Sequence, residues 1–369
     1  MKKLKKIFII LLILLSLDFL TSYIFFKKME FWKYERLVDH FWRIPSGIYH
    51  HDIMPNIDVL EPWGFQMKKR LITNSLGFRD FSNKNVNKIS KKKRVLLIGD
   101  SAIEGAGYDY EFTVGGLLQN KFSETHEILN SAVGSYSPSI YYKKISHFIN
   151  LGYKFDKAII FLDPSDIIDE LFIEWDDNGN IKINKDDIKK VTFSDFLVNN
   201  FLIFRSALRV SDGTENLKNF LKLRYKASKK YKKSFFKTTK EDIFFYRMTH
   251  VDRSAWTFDK EIFKNYDVGL RKSEKYLNKL INILRNNNIE IDFVLYPHPS
   301  QIVYEDIHHK PYWEKWAKKN NINLISLYKD FDGKNKRQIT LTTFIFGDLH
   351  WNKKGTKIVF DSLIKQINF

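Results

Sequence analysis

The sequence predicts an α/β protein with a doubly wound, parallel, five-stranded sheet, an N-terminal transmembrane helix and a helical insertion. Short apolar runs recur along the chain, and helical patterns lie between several of them. This alternation of buried strands and helices is typical of a parallel sheet covered on both faces. An apolar stretch at residues 7–26 precedes all of them and is long enough to form a separate helix.

The composition limits the chemistry that the chain can perform. Its 369 residues include no cysteine, which excludes disulfides, a thiolate nucleophile and a zinc knuckle, so covalent catalysis would need serine, threonine, lysine or a carboxylate. The hydrophobic fraction of 44% and the low glycine and proline content exclude collagen-like and wholly disordered chains. The net charge of +18 would attract an anionic polymer or membrane surface, but no recognition motif accompanies it, and nucleic-acid binding is not expected.

Residues 7–26 are predicted to cross a membrane once, as an uncleaved signal anchor. As a helix they would cover the roughly 30 Å of hydrocarbon, and no small-residue cleavage pattern follows them. Lysine and arginine flank both ends and nearly cancel as a topology signal. The short tail, residues 1–6, precedes a large domain, which favours a cytoplasmic tail and an exported domain. We therefore expect a bacterial inner (cytoplasmic) membrane protein whose main domain faces the periplasm or the exterior.

Asp18 is the only charged residue within this stretch. Ionisable groups in a membrane span are costly, so Asp18 could pair with a partner helix. The alternative is that a weakly apolar half of the helix tolerates the carboxylate. The sequence leaves both interpretations open.

Residues 27–93 form an N-terminal extension, rich in aromatic residues and turn formers, that we expect to support the main domain at residues 94–369. A helical insertion at residues 171–264 interrupts the alternation of strands and helices. Within it, residues 218–240 carry ten lysines or arginines and no acid. This basic segment is either a surface for an anionic lipid leaflet or an acidic glycan, or a solvated charged helix. Five apolar runs are predicted as the strands of the sheet: Arg94–Ile98, Ile128–Leu129, Ala158–Leu162, Ile291–Tyr296 and Ile322–Ser326.

Candidate reactive residues follow the predicted strands. They are Ser101 after the first strand, Gly134 after the second, Ser165 after the third, and Asp348 and His350 after the fifth. The carboxyl ends of parallel strands meet at one edge of a doubly wound sheet, where ligands bind. If the strand order is 2-1-3-4-5, the Gly134 and Ser165 loops flank Ser101, where hydrogen-bond donors could surround an oxyanion.

These residues resemble the motifs of the SGNH hydrolases, also called GDSL esterases and lipases. The Gly-Asp-Ser of residues 99–101 is similar to the first block of that family and Gly134 to the second-block glycine. Asp348-x-His350 is similar to the last block, although its spacing is commonly one residue longer in the family. The resemblance implies a flavodoxin-like SGNH fold, with Ser101 as nucleophile, His350 as general base and Asp348 as the residue that orients it. It also implies the backbone N–H groups of Ser101 and Gly134 as oxyanion donors.

The third block departs from the family pattern. SGNH hydrolases usually carry Gly-x-Asn-Asp, whereas residues 163–166 read Asp-Pro-Ser-Asp, which puts Ser165 where the asparagine would be a third oxyanion donor. A hydroxyl reaches less far than an amide, and weakening one donor can lower the rate by up to about 10²- to 10³-fold. Residues 73–80, Thr-Asn-Ser-Leu-Gly-Phe-Arg-Asp, are similar to a segment of membrane-linked members associated with polysaccharide modification.

The resemblance implies a serine esterase that removes O-acyl groups, acetyl foremost, from an envelope or extracellular polysaccharide. Two alternatives stay open: an O-acetyltransferase that uses the same three side chains, and a catalytically inactive glycan-binding or scaffold protein. The expected partners are an acylated carbohydrate, the lipid bilayer and a membrane-embedded protein of polysaccharide modification. No cofactor or metal is expected, because the pairs His50-His51 and His308-His309 lack the spacing of ligands on one helix face. His298, which follows the fourth strand, either contacts substrate or shapes a turn.

Overall fold

The computed structural model describes residues 2–28, 42–63, 67–176, 182 and 193–369. It begins with a long helix, α1 (Lys2–Lys28), whose apolar side chains are nearly all exposed where they are described. Within the described residues this is the one helix long and apolar enough to cross a membrane, over Lys3–Ile24, a criterion that a signal sequence also meets. The predicted span at residues 7–26 therefore coincides with a helix of suitable length.

Two antiparallel hairpins make up much of the described N-terminal extension. They pair β1 (Arg43–Ser46) with β2 (His50–Ile53) and β3 (Asp58–Trp63) with β4 (Met67–Ile72). The buried side chains of Trp42 and Leu71 join this region to the core of the main domain. The sequence does not predict these hairpins, because short strands such as β4, which reads MKKRLI, show no regular alternation of apolar and polar residues.

The central sheet has five parallel strands, each slightly displaced from its predicted bounds. They are β5 (Lys93–Ile98), β6 (His126–Asn130), β7 (Lys157–Leu162), β8 (Glu290–Leu295) and β9 (Asn323–Ser326). Their spatial order is β6-β5-β7-β8-β9, which is 2-1-3-4-5 in chain order. This order and the parallel pairing confirm the predicted fold class.

Helices cover both faces of the sheet, because alternate side chains of a strand point to opposite faces. After α1, the helices are α2 (Ser101–Glu104), α3 (Val114–Phe122), α4 (Pro138–Asn150), α5 (Pro164–Phe172), α6 (Phe193–Asn200), α7 (Leu202–Lys230), α8 (Lys240–Thr249), α9 (Asp252–Ala255), α10 (Tyr266–Asn286), α11 (Pro299–Val303), α12 (His309–Lys319), α13 (Lys336–Thr343) and α14 (Lys353–Gln366). In β5, Leu96 and Ile98 pack into one core with α4 and α10, whereas Val95 and Leu97 pack into a second core with α3 and α14.

Helices α6 to α9 lie within the predicted insertion at 171–264, of which residues 177–181 and 183–192 lie outside the described residues. Helix α7 has 29 residues, so it is about 43 Å long. It contacts α1 and α8. The basic segment at 218–240 runs from the second half of α7 to the start of α8. The division of the chain into anchor, extension, main domain and insertion stays a prediction.

Candidate active site

Ser101 lies on a sharp turn between strand β5 and helix α2. It is the first residue of that helix, and the Asp100 carboxylate caps the helix by accepting a hydrogen bond from the Ala102 N–H at 3.0 Å. A Cβ atom at Gly99 would come within 2.9 Å of the Ile103 side chain, so glycine permits this close approach of strand and helix. The turn presents the Ser101 hydroxyl at the carboxyl edge of the sheet.

His350 contacts Ser101 although the two residues are 249 positions apart in the sequence, and Asp348 contacts His350. The His350 Nε2 atom lies 2.8 Å from the Ser101 Oγ atom, and His350 Nδ1 is hydrogen-bonded to Asp348 Oδ1. Asp348 Oδ1 also accepts the backbone N–H of His350 at 3.0 Å. A tight turn fixes the loop, because the Ile345 N–H donates to the His350 carbonyl at 2.8 Å and Gly347 has φ of +81°. The structure thus joins the three side chains into one chain of hydrogen bonds.

The charges around His350 favour its protonated form. Burial alone would lower the pKa of His350, but the carboxylates of Asp348, Asp100 and Asp163 outweigh it and raise that pKa. Burial would raise the pKa of Asp348, but the His350 ring and neighbouring N–H groups hold it well below its ordinary value. When the His350 ring is neutral, an ionised Asp348 accepts a hydrogen bond from its Nδ1–H, which leaves the Nε2 lone pair directed at Ser101.

Trp63, at the end of β3, contacts both members of this pair and was not anticipated from the sequence. Its indole N–H donates to Asp348 Oδ2 at 3.3 Å, and its ring meets the His350 ring edge-on at a centroid distance of 5.0 Å. Asp348 therefore uses one oxygen for His350 and the other for Trp63. No spacing in the sequence marks Trp63, which is one of eight tryptophans in the chain.

Gly134 does not offer its N–H to the site, which corrects the expectation that it is an oxyanion donor. Its N–H donates to the buried Glu104 Oε2 at 2.8 Å, and its carbonyl lies 2.9 Å from His51 Nε2. The Gly134–Ser135 peptide is trans, so the Ser135 N–H points opposite to the carbonyl and away from His51. Ser135 lines the same cavity as Ser101, and neither of their N–H groups has an acceptor among the described residues.

Ser135 has a backbone conformation that is unusual for a residue other than glycine. Ser135 has φ of +63°, in the left-handed region that glycine usually occupies. The loop after β6 lies against Ser101, because a Cβ atom added at Gly134 would be 3.4 Å from the Ser101 Cβ atom. The sequence gives no sign that a serine, rather than the neighbouring glycine, adopts this conformation.

His51 is a neutral hydrogen-bond donor to this loop. Burial, together with the nearby charge of Arg43 and the His50 ring, lowers the pKa of His51 to about 4. Because a carbonyl oxygen can only accept, the His51 Nε2 atom carries the proton and donates it to Gly134. His51 belongs to a pair of adjacent histidines that lack the sequence spacing of metal ligands. It thus helps to hold the loop beside Ser101.

Ser165 does not supply a hydroxyl to an oxyanion either, which corrects the second expectation. Its hydroxyl and its backbone N–H both donate to Asp163 Oδ1, at 2.6 and 2.5 Å. Asp163 is the N-cap of α5, and it forms a capping box with Asp166. A short hydroxyl in the first turn of a helix is within reach of the carboxylate that caps the helix, so the Ser165 O–H donates to Asp163. The longer amide of an asparagine at this position could instead donate toward the substrate.

A cluster of buried acids lies behind the nucleophile. Oxygens of Asp100, Asp163 and Asp166 lie within 4.8 Å of one another, the one group in the described residues that could enclose a metal ion. Tyr296 Oη lies 3.0 Å from Asp100 and 2.8 Å from Asp163, and His298 Nε2 lies 3.2 Å from Asp163. Burial raises the pKa of Asp100, as does the neighbouring Asp163, whereas His298 and Tyr296 hold the pKa of Asp163 low against its burial. Asp100 and Asp163 therefore already accept hydrogen bonds from protein side chains.

The segment at residues 73–80 supports the helix that carries Ser101. The buried guanidinium of Arg79 donates to the carbonyl oxygens of Glu104, Gly105 and Tyr108. These carbonyls are at and beyond the end of α2, where a helix leaves acceptors without partners. Arg79 of this segment therefore helps to hold the turn that carries Ser101.

Glu104 connects that helix to the loop beside Ser101. Its carboxylate bonds to Arg43 at 2.7 Å, to Lys69 at 3.0 Å and to the Gly134 N–H. Burial would raise the pKa of Glu104, but Arg43 and Lys69 outweigh it and hold that pKa well below its ordinary value. Both cations come from the N-terminal extension, so the extension fixes the relative position of α2 and the Gly134 loop.

Two hollows adjoin these residues. The cavity at Ser101 is small, about 120 Å³, and Arg253 and His298 contribute to its wall. Its lining residues are Asp100, Ser101, Ala102, Ser135, Asp163, Ser165, Val251, Arg253, His298, Leu349 and His350. A larger groove of about 610 Å³ lies on the other side of Asp348 and Trp63, between α7, α8 and the loop before His350.

Comparisons with known proteins give fold-level similarity only. No family model matches the sequence, and no curated protein matches it. Similar solved structures include the acetyl xylan esterase AlAXEase (TM-score 0.39, 14% identity, 74% of this chain and 100% of that chain). Others are a member of the lipolytic protein G-D-S-L family from Veillonella parvula DSM 2008 (0.38, 11%, 74% and 97%) and the esterase EstA from Pseudoalteromonas sp. (0.37, 11%, 74% and 96%). These are proteins of the kind that the motif residues resemble, but at these scores the similarity supports no conclusion about activity.

Proposed function

We propose that this protein is a membrane-anchored serine esterase of the SGNH type that removes short O-acyl groups, acetyl foremost, from an envelope or extracellular polysaccharide. The observation that carries the proposal is the hydrogen-bonded chain from the Ser101 hydroxyl through His350 to Asp348. A nucleophile, a base and a group that orients the base are the parts that acyl transfer through serine requires.

In the proposed reaction, His350 Nε2 takes the Ser101 proton as Oγ attacks the ester carbonyl, while Asp348 stabilises the imidazolium. The N–H groups of Ser101 and Ser135 hold the tetrahedral oxyanion. The C–O bond to the sugar then breaks, and His350 returns the proton to the departing hydroxyl. Water, deprotonated by His350, attacks the acyl-enzyme and releases the carboxylic acid and the free serine.

The shape of the cavity favours a short acyl group. At about 120 Å³ it has room for an acetyl group but not for a long alkyl chain. The similarity of residues 73–80 to membrane-linked polysaccharide-modifying members adds the glycan as the alcohol part of the ester. Arg253 and His298, which line the cavity beside Ser101, are the side chains expected to contact the sugar or the ester oxygen.

The proposed location is the bacterial inner membrane. Helix α1 would be a single-pass anchor with residues 1–6 in the cytoplasm and the main domain in the periplasm or outside the cell. An exported domain would meet acylated polysaccharide there. A membrane-embedded protein of polysaccharide modification is part of the same proposal.

The proposal is tested with the full-length protein purified in detergent. We expect it to hydrolyse p-nitrophenyl acetate much faster than p-nitrophenyl octanoate and to release acetate from an O-acetylated polysaccharide. Ser101→Ala should abolish both activities, whereas Ile89→Val, at an exposed isoleucine that does not line the cavity, should retain them. Absence of hydrolysis of every acyl ester by the folded wild type would contradict the proposal.

An O-acetyltransferase is the second candidate, and the 610 Å³ groove is the observation that favours it. Asn216, Asn219, Phe220 and Phe244 line this groove, and amide and aromatic side chains suit a sugar acceptor. Hydrolase and transferase differ in whether water or a sugar hydroxyl attacks the acyl-enzyme. Incubation with an acetyl donor and a deacetylated polysaccharide distinguishes them: acetylated glycan identifies the transferase, and acetate alone identifies the esterase.

A further inference from the structure

Asp18, the one charge in the predicted membrane span, contacts the start of helix α7. Its Oδ2 atom accepts the backbone N–H of Ile203 at 3.3 Å. One turn further along α1, the Ser22 hydroxyl oxygen accepts the N–H of Leu202 at 2.8 Å. Leu202 and Ile203 are the first two residues of α7, so side chains from α1 cap a helix that lies about 180 residues away in the chain.

This cap is needed because α7 cannot cap itself. Phe201 occupies its N-cap position and has no side-chain hydrogen-bonding group. The first N–H groups of a helix have no acceptor within the helix, and in hydrocarbon each unsatisfied group costs several kcal/mol. A carboxylate also interacts favourably with the positive end of the helix dipole. The sequence leaves open whether Asp18 has a partner. In the structure its carboxylate pairs with a helix N-terminus of the same chain.

The level of this contact along α1 lies inside the apolar stretch. Asp18 precedes Ile24, the last residue of the stretch that could cross the membrane, by six residues, or about 9 Å of helix. If α1 spans the membrane, the start of α7 would therefore lie inside the hydrocarbon layer. The first N–H groups of a helix at that depth need hydrogen-bond acceptors, and Asp18 and Ser22 supply them.

Several exposed apolar side chains lie around this contact. Phe19 of α1 meets the Phe201 ring at 5.6 Å, and Phe196 of α6 meets Phe201 at 6.5 Å. Phe193 is 75% exposed and Ile203 is 60% exposed, next to the exposed apolar surface of α1. In water such a continuous apolar surface would be costly, and it is continuous with the surface that α1 offers to lipid.

From these contacts we infer that α6 and the first turns of α7 are embedded in the bilayer beside α1, with the acyl chains of that bilayer covering Phe193, Phe196 and Ile203. The inference rests on the proposed anchoring by α1 and not on the esterase activity. Asn216 of α7 lines the groove beside Asp348, 13 residues or about 20 Å from Ile203. The same rigid helix therefore links the membrane contact to the edge of the candidate active site.

The absence of cysteine permits a direct test, since any introduced cysteine is unique. Single variants Ile203→Cys and Phe193→Cys are labelled with the environment-sensitive fluorophore NBD in the full chain. The labelled proteins are reconstituted in vesicles of phosphatidylcholine and phosphatidylglycerol. Two matched controls frame the result: Leu12→Cys on α1, and Ile89→Cys at an exposed isoleucine of the N-terminal extension.

We expect the probes at 203 and 193 to behave like the probe at 12, with blue-shifted emission, quenching by nitroxide lipids and little quenching by aqueous iodide. Behaviour like that of the probe at 89 would overturn the inference. Shielding from both quenchers would also overturn it, because a protein rather than lipid would then cover the surface. If the probe at 12 itself is in water, the anchoring and the inference both fail, while the esterase assay is unaffected.

The capping contact has its own test in amide hydrogen exchange of the full chain in lipid nanodiscs. Removing the acceptor with Ser22→Ala should speed exchange at the start of α7 by about five-fold, the usual worth of a helix cap. Thr21→Ala is the matched control, because the Thr21 hydroxyl donates to the Leu17 carbonyl of its own helix. Equal exchange rates in the two variants would contradict a cap from Ser22.

Discussion

The carboxyl edge of the sheet and the N-terminal extension contribute to the candidate site in different ways. The edge of the sheet supplies the groups that would react, namely Ser101 after β5 and the Asp348–His350 loop after β9. The extension supplies groups that hold those residues from behind. Its contributions are His51 on the Gly134 carbonyl, Trp63 on Asp348, and Arg43 and Lys69 on Glu104.

The difference separates chemistry from orientation. Loss of a group on the sheet edge removes a step of the reaction, whereas loss of a group on the extension leaves every reacting atom present but less well positioned. Variants in the two regions should therefore differ in size of effect and in which kinetic constant responds.

On the sheet edge, Asp348→Asn should lower kcat by about 10⁴-fold, because the imidazole would lose the acceptor that fixes its tautomer. The base must be neutral to act, so wild-type activity should rise with pH through a midpoint above 6.5, the ordinary value of histidine. Without the carboxylate that raises the pKa of His350, the midpoint should fall. Rate profiles from pH 5 to 9 check both effects, and an unchanged midpoint would contradict the pairing.

In the extension, His51→Phe should lower kcat by up to about 100-fold with little change in KM, because the Ser135 N–H loses its fixed direction and donates less well to the oxyanion. His51→Gln retains an N–H donor and should recover much of the activity. A loss in KM alone, or no recovery in the glutamine variant of equal thermal stability, would show that His51 does not position the loop.

Trp63→Phe should have a smaller effect, about 3- to 10-fold on kcat, because it removes one hydrogen bond to a carboxylate that His350 still contacts. Steady-state kinetics on p-nitrophenyl acetate measure it. A loss as large as that of Asp348→Asn would place Trp63 among the reacting groups and break the distinction between the two regions.

Ser135→Gly should have the smallest effect, with kcat within about two-fold of wild type and equal or slightly greater thermal stability. Glycine adopts a φ of +63° without strain, and the variant keeps the N–H that would bind the oxyanion. A large loss of kcat would mean that the serine hydroxyl, rather than its backbone, serves the reaction.

The sequence could predict the sheet and the reacting side chains for a physical reason. Buried parallel strands are short apolar runs, and their carboxyl ends meet at one edge of the sheet. The residues after β5 and β9 can therefore be expected from the sequence to lie close together. The contact of Ser101 with His350 matches that expectation.

The oxyanion donors and the supporting residues could not be predicted in the same way. Which of two adjacent residues, Gly134 or Ser135, turns its N–H to the cavity depends on hydrogen-bond partners from other elements, the Glu104 acceptor of α2 and the His51 donor of β2. Likewise, the hydroxyl of Ser165 is taken by the carboxylate that caps its own helix. Tertiary contacts decide which hydrogen bonds these residues make. The hairpins that provide several of those contacts have no clear periodicity in the sequence.

The central claim is that His350 activates the Ser101 hydroxyl for attack, and reaction with a fluorophosphonate tests it most directly. Intact-mass and peptide mass spectrometry of the full-length protein should find one adduct, on Ser101, forming at a rate that rises with pH as His350 loses its proton. The adduct should be missing from Ser101→Ala and form far more slowly in Asp348→Asn. A folded wild type that gains no adduct, or gains it on another residue, would contradict the account.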